Sequence, residues 1–103
     1  MISVSVFYPQ GPGKHFDHAY YAQTHMPMVG KLLADHGLKR YEIERGLSGL
    51  TPGSEPAFVA IAMLYFDTLS DFQNSLAAHG AEILADIPNY TNIEAQFQIN
   101  EIG

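Results

Sequence analysis

Residues 57–66 read AFVAIAMLYF, and the architecture turns on how this run folds. It follows the Gly- and Pro-rich segment SGLTPGSEP (48–56) and reads as a strand. One alternate set of its side chains is Phe58, Ala60, Ala62, Leu64 and Phe66; the other is Ala57, Val59, Ile61, Met63 and Tyr65. Both sets are apolar, which is the pattern of a strand covered on both faces.

The neighbouring segments give that strand its context. Residues 2–8, ISVSVFY, alternate Ile2, Val4 and Val6 against Ser3, Ser5 and Phe7, and PQGPGK ends them. A helix is expected from about Phe16 to His36 with Gly37 as its C-cap, followed by a second strand at 39–47, KRYEIERGL. A second helix opens at Thr68 with Asp71 three places on, and runs Leu69, Phe72, Leu76, His79, Ile83, Ile87, with a break expected at Gly80. The last strand alternates Ile93, Ala95, Phe97 and Ile99 against Glu94, Gln96, Gln98 and Asn100. The order strand, helix, strand, strand, helix, strand predicts an α+β, ferredoxin-like βαββαβ domain with a four-stranded antiparallel sheet and both helices on one face. Two helices cover only one face, so the doubly apolar strand calls for a second subunit against the other, making a homodimer. The alternative is an open face of small apolar residues that binds ligand directly.

Composition bounds the remaining possibilities. The chain has 103 residues, 47% of them hydrophobic, which suits one domain over 1–103 with one core. A charged fraction of 16% is low for a fully solvated surface and also points to a second copy. The formal net charge is −6, and the five cations, Lys14, Lys31, Lys39, Arg40 and Arg45, are scattered, so no nucleic acid and no membrane surface is expected as partner. Without cysteine there is no disulfide, thiolate metal site or thiol nucleophile. No basic leader and no apolar run of about 18 residues occurs, so the expected location is cytoplasmic.

The segment YYAQTHMPMVGKLL (20–33) poses a local problem, because Pro27 interrupts a helical pattern. Proline inside a helix removes a hydrogen bond and clashes with the preceding turn, at a cost of about 3 kcal/mol. Stepping about 100° per residue places Ala22, Met26, Met28, Val29, Leu32 and Leu33 in one inward sector, with His25 near its middle and Tyr21 at its border. Tyr20 and Pro27 fall on the opposite side. The proline then makes an outward bend that frees the carbonyl of Gln23 for water. A second reading ends one helix near His25 and starts another with Pro27 at the first helical position. His25 is either a satisfied core histidine or a functional group in an apolar pocket.

FDHAYYAQTHMPMV, with Asp17, Tyr20, Tyr21, His25 and Pro27, together with the later ADIPNYTN, resembles the EthD family, first named for ethyl tert-butyl ether degradation. The likeness spans nearly the whole chain, and its second block is carried by Asp86, Ile87, Pro88, Asn89, Tyr90 and Thr91. The resemblance implies a dimeric α+β barrel, in which two ferredoxin-like sheets pair. It implies no single reaction, since related barrels include cofactor-independent monooxygenases, isomerases, polyketide cyclases and haem-binding enzymes.

The candidate catalytic residues are therefore His25 as general acid or base, Tyr21 orienting it or donating to a substrate oxygen, and Tyr90, Asp86 and Asn89 from the end of the second helix. The Asp86 block could equally just fix a turn. His15, His18, His25, His36 and His79 lack metal-ligand spacing; His18 and His25 are roughly 10 Å apart along a helix, so no metal is expected. GPGK (11–14) lacks a phosphate-loop spacing, and no dinucleotide fingerprint follows a strand, so no cofactor is expected. Two functions stand: a cofactor-free enzyme acting on a small, mostly apolar organic molecule, or a non-catalytic accessory binding protein of an oxygenase system. A polyketide cyclase or dehydratase is a further variant of the first.

Overall fold

The computed structural model describes residues 1–103. Strand β1 (Ile2–Pro9) leads into α1 (His18–Tyr20), a π-turn (Tyr21–His25) and α2 (Met26–Leu33), which ends in a 3₁₀ turn (Ala34–His36). Strands β2 (Leu38–Arg45) and β3 (Phe58–Phe66) follow, then α3 (Leu69–Asp86), a second 3₁₀ turn (Ile87–Asn89) and β4 (Gln96–Glu101). The four strands form one antiparallel sheet in the order β2-β3-β1-β4. This is the expected ferredoxin-like arrangement. The doubly apolar β3 and the alternating β1 sit centrally, and the more polar strands β2 and β4 take the edges.

Register sets which side chains meet under the helices. Val4 pairs with Leu64 and Val6 with Ala62, while Val4 also pairs with Ile99 and Val6 with Phe97. That face joins Tyr21, Met26, Val29 and Leu33 from the first helical segment to form the core. On the far face the apolar side chains are Val59, Ile61, Met63 and Tyr65 of β3 and Phe7 of β1, all half-buried. Ser3 and Ser5 flank them and accept hydrogen bonds from the Asn100 amide at 3.2 and 2.9 Å, and Arg40 lies 3.9 Å over the Tyr65 ring. The far face is thus more polar than the doubly apolar β3 alone suggests.

Pro27 stands at the start of α2, directly after a π-turn that ends at His25, close to the second reading above, although the helical backbone continues through the junction. The helix continues through it because the turn before it is widened: the Met26 N–H bonds the carbonyl of Tyr21, five residues back. A π-turn shifts the hydrogen-bond register, so the missing proline N–H falls where the ladder is already interrupted. The slip also alters the helix faces, leaving Ala22 exposed and bringing Tyr20 inward to a partner. Gly80 does not break α3; the helix runs unbroken from Leu69 to Asp86 with Gly80 buried.

The long helical segment stops at Gly37, whose φ of +96° is left-handed. A side chain there would also come within 3.0 Å of the Asp71 Cβ. Gly37→Ala should therefore lower stability by about 1 to 2 kcal/mol. Urea denaturation checks this, and an unchanged midpoint would show that the turn does not need the left-handed conformation.

Candidate active site

Three elements converge beside the end of β1. The π-turn presents His25 and Tyr21, β1 presents Tyr8, and the segment after α3 presents Asp86 and Tyr90. His25 is only 4% exposed, and its ring stacks nearly parallel on Tyr21, with centroids 5.6 Å apart and planes 15° apart. The widened turn carries these two side chains almost over each other. Asp17 caps the start of α1 by accepting the Tyr20 N–H at 3.0 Å, and the Asp17 N–H in turn bonds the carbonyl of Tyr90 at 2.8 Å. The cap therefore ties the helix carrying His25 to the segment carrying Tyr90.

Asp86 is the hub. Its Oδ2 accepts from His25 Nδ1 at 2.8 Å, while Oδ1 accepts from the Tyr20 hydroxyl at 2.8 Å and from Asn89 Nδ2 at 2.9 Å. Burial alone would raise the Asp86 pKa, but the bonds from His25, Asn89 and Tyr20 outweigh it and hold the carboxyl below its ordinary value. An ionised Asp86 only accepts, so Nδ1 of His25 carries the proton and Nε2 of the neutral ring is the accepting nitrogen.

That assignment gives the next contacts their direction. The Tyr90 hydroxyl lies 3.3 Å from Nε2 and 2.8 Å from the Tyr8 hydroxyl. Tyr90 donates to Nε2, and its oxygen then accepts from Tyr8. Burial pushes the phenols of Tyr90 and Tyr21 well above their ordinary value, so both remain protonated donors. Burial also lowers the His25 pKa, with Asp86 pulling the other way less strongly. The ring is consequently neutral at pH 7.

His25, Tyr21 and Tyr8 reach the wall of a cavity of about 460 Å³ between the sheet and the helices. Nineteen residues line it and sixteen are hydrophobic, with Val29, Ala62 and Ile83 among them. Small side chains make the room: Ala62 lies beneath it and Gly80 beside it. A volume in this range suits a small organic molecule, and so few polar groups would fix its orientation.

Of the five candidates read from sequence, His25 and Tyr21 face the cavity. Tyr90 bridges His25 to Tyr8, and Asp86 and Asn89 stand behind the histidine. Tyr21 stacks on His25 and does not orient it through a hydrogen bond; Asp86 does that. Sequence reading missed Tyr8, although a phenol on the same strand face as Val4 and Val6 was a usable signal. It also turned Tyr20 outward, because a regular helix cannot represent the π-turn. No three His, Cys, Asp or Glu side chains come together as a metal ion would need.

The EthD domain family model matches residues 10–94. An EthD-like protein of Ralstonia eutropha of known structure is 46% identical, with a TM-score of 0.91 over 97% of this chain and 89% of that one. SnoaB, a cofactor-independent oxygenase from Streptomyces nogalater, shares the fold at 16% identity, with a TM-score of 0.61 over 98% and 90% of the two chains. A dimeric ferredoxin-like protein of unknown function from Thermobifida fusca does so at 17% identity and a TM-score of 0.61, over 98% and 90%. Among curated proteins none matches. The first two likenesses, to the EthD domain and to the Ralstonia protein, are specific and nearly full-length: the chain belongs to the EthD family.

Proposed function

We propose that this chain works as a homodimeric, cofactor-independent enzyme that binds a small, mostly apolar organic molecule in the cavity and removes a proton from it through His25. One observation carries the reading: the Asp86–His25 pair ends in a neutral, buried Nε2 at an otherwise apolar cavity. A carboxylate behind a histidine fixes its tautomer and stabilises the imidazolium that forms when the ring takes a proton.

The ligand such a site serves has an acidic C–H or O–H conjugated with an oxygen, as in phenols and enolisable carbonyls. The C–H or O–H bond breaks, its proton goes to Nε2, and the electron pair delocalises onto the ligand oxygen. Tyr21, on the cavity wall, supplies the hydroxyl donor available to that oxygen, the Tyr8 proton being given to Tyr90. The resulting anion is electron-rich enough to react with dioxygen or to close on a carbonyl of its own. The fold alone does not choose between these outcomes. Oxygenation without a cofactor is the chemistry named for the SnoaB fold relative. An accessory binding protein is the second reading, favoured by one contact: the Tyr90 hydroxyl lies 3.3 Å from Nε2 and engages the lone pair that a base would need.

His25→Asn separates the two. The amide can keep a hydrogen bond to Asp86, so an enzyme should retain ligand affinity while turnover falls by roughly 10² to 10⁴. Paired calorimetry and turnover assays with phenols and enolisable ketones read this. Undiminished turnover in the variant removes His25 from the mechanism, and tight binding with no turnover by the wild type establishes the accessory role.

The pH profile follows from the same balance. Burial holds the His25 pKa below 6.5, so kcat/KM should rise with pH along a limb below that value and stay flat through neutrality. Asp86→Asn removes the group that raises the pKa, and should move the limb to lower pH while lowering the plateau. A limb moving upward in the variant would contradict the assigned roles.

Acid should also destabilise the fold. The unfolded chain takes up a proton on His25 near pH 6.5, whereas the folded ring resists it. Stability from the neutral ring is therefore present above that pH and is lost as pH falls toward the lowered value. Thermal denaturation should show Tm declining below about pH 6.5, less steeply in His25→Asn.

A further inference from the structure

The nitrogen that takes the proton is already engaged. A neutral imidazole has one accepting lone pair, and the Tyr90 hydroxyl stands 3.3 Å from it at Nε2. Tyr90 is buried and is not among the residues of the cavity wall. Its backbone is tied on both sides, the N–H to the Ile87 carbonyl at 3.1 Å and the carbonyl to the Asp17 N–H at 2.8 Å. Its ring lies against those of Tyr21 and Phe16, with centroids 5.0 and 5.4 Å away. A ligand meeting Nε2 directly must therefore displace a firmly held phenol.

The same phenol has a second neighbour that does reach the cavity. Tyr8 lies on the wall, and its hydroxyl is 2.8 Å from that of Tyr90. With the histidine proton on Nδ1, donation runs from Tyr8 to Tyr90 to Nε2. A phenol oxygen that has donated its one hydrogen still accepts, so Tyr8 presents an acceptor to a ligand hydroxyl. The lone pair of His25 is thus extended by two oxygens to the cavity wall.

We infer that Tyr8 is a further catalytic residue, the entry of a two-phenol relay that carries the proton of a ligand O–H through Tyr90 to His25. The ligand O–H bond breaks and its proton bonds to the Tyr8 oxygen. The Tyr8 proton moves to the Tyr90 oxygen, and the Tyr90 proton to Nε2. Three O–H bonds break while two O–H bonds and one N–H bond form, the ligand oxygen keeping its electron pair and the imidazolium resting against Asp86. Both phenols end neutral. Burial raises the pKa of each, which disfavours a lasting tyrosinate and makes the three transfers move together. The inference rests on the base role of His25 in the proposed function and narrows its ligands. A relay that begins at a phenol oxygen takes a proton through a hydrogen bond, so phenols and enols qualify and ketones reacting at carbon do not.

The test uses the fused-ring phenol naphthol and the ketone tetralone. Tyr90→Phe and Tyr8→Phe keep the ring and delete only the hydroxyl. Each should lower naphthol turnover by roughly 10² or more, while affinity by calorimetry stays within about tenfold and circular dichroism is unchanged. In mixtures of light and heavy water the wild-type rate should fall along a curve, because several protons move at once; a straight line, the mark of one moving proton, would overturn the relay without any variant. Undiminished or faster turnover in Tyr90→Phe would also overturn it, since removing that hydroxyl opens Nε2 to direct contact, and would leave His25 standing as the base. Exchange of the tetralone α-hydrogens for deuterium, followed by proton NMR, should not be accelerated by the wild type. Accelerated exchange would overturn the restriction to hydroxyl ligands. Undiminished naphthol turnover in His25→Asn, or none in the wild type, would remove the base role and the relay with it.

Discussion

The site depends on one carboxylate reaching from the end of one helix to a ring on another. Asp86 accepts from His25 at 2.8 Å and, through its other oxygen, from Tyr20 and Asn89. Two local devices make the reach possible. The π-turn before Pro27 turns Tyr20 and His25 toward the same carboxylate, and the 3₁₀ turn over Ile87–Asn89 folds Tyr90 back beneath the ring. Each device is unfavourable as regular helix, and each is held by hydrogen bonds that cross between the two helical segments. Widened turns of this kind often mark functional positions because they re-aim side chains that a regular helix would splay apart.

Two opposing influences act on the histidine, and burial is the larger. A charged imidazolium at an apolar cavity would be costly, and Asp86 offsets only part of that cost. The resting ring is neutral, with its proton on Nδ1 and a lone pair on Nε2. The array of Tyr90 and Tyr8 then has a single sense of donation, from strand to helix, ending on that nitrogen. Asp86 lies behind the ring and does not line the cavity. Its effect on a ligand is therefore transmitted through the histidine, as expected of a positioning residue.

Much of this was legible in the sequence, for physical reasons that differ by element. Strands announce themselves by a period of two, so β1 and β4 were legible from alternation, while β3 was legible as an unbroken apolar run bounded by turn residues. The Thr68 cap was equally plain, and the Thr68 hydroxyl accepts the Asp71 N–H at 3.1 Å. The exact faces of the first helix were not legible. A wheel with a fixed angle per residue cannot anticipate a π-turn, so Ala22 was turned inward and Tyr20 outward. Gly80 looked like a break because glycine costs about 1 kcal/mol in a helix interior; it sits instead as a buried small residue on the cavity wall. The doubly apolar β3 suggested a wholly apolar far face, but that face also depends on Ser3, Ser5, Arg40 and Asn100 from its neighbours. A strand's own pattern does not report who stands beside it.

The claim on which the account rests is the protonation state of one ring. Nitrogen-15 NMR of labelled protein at pH 7 resolves the two ring nitrogens of a histidine and tells the tautomers apart. The account predicts a neutral His25 with its proton on Nδ1, shifted downfield by the short bond to Asp86, and an Nε2 that stays unprotonated until the pH is below 6.5. A proton found on Nε2 at neutral pH, whether in the other tautomer or in a charged ring, would contradict it.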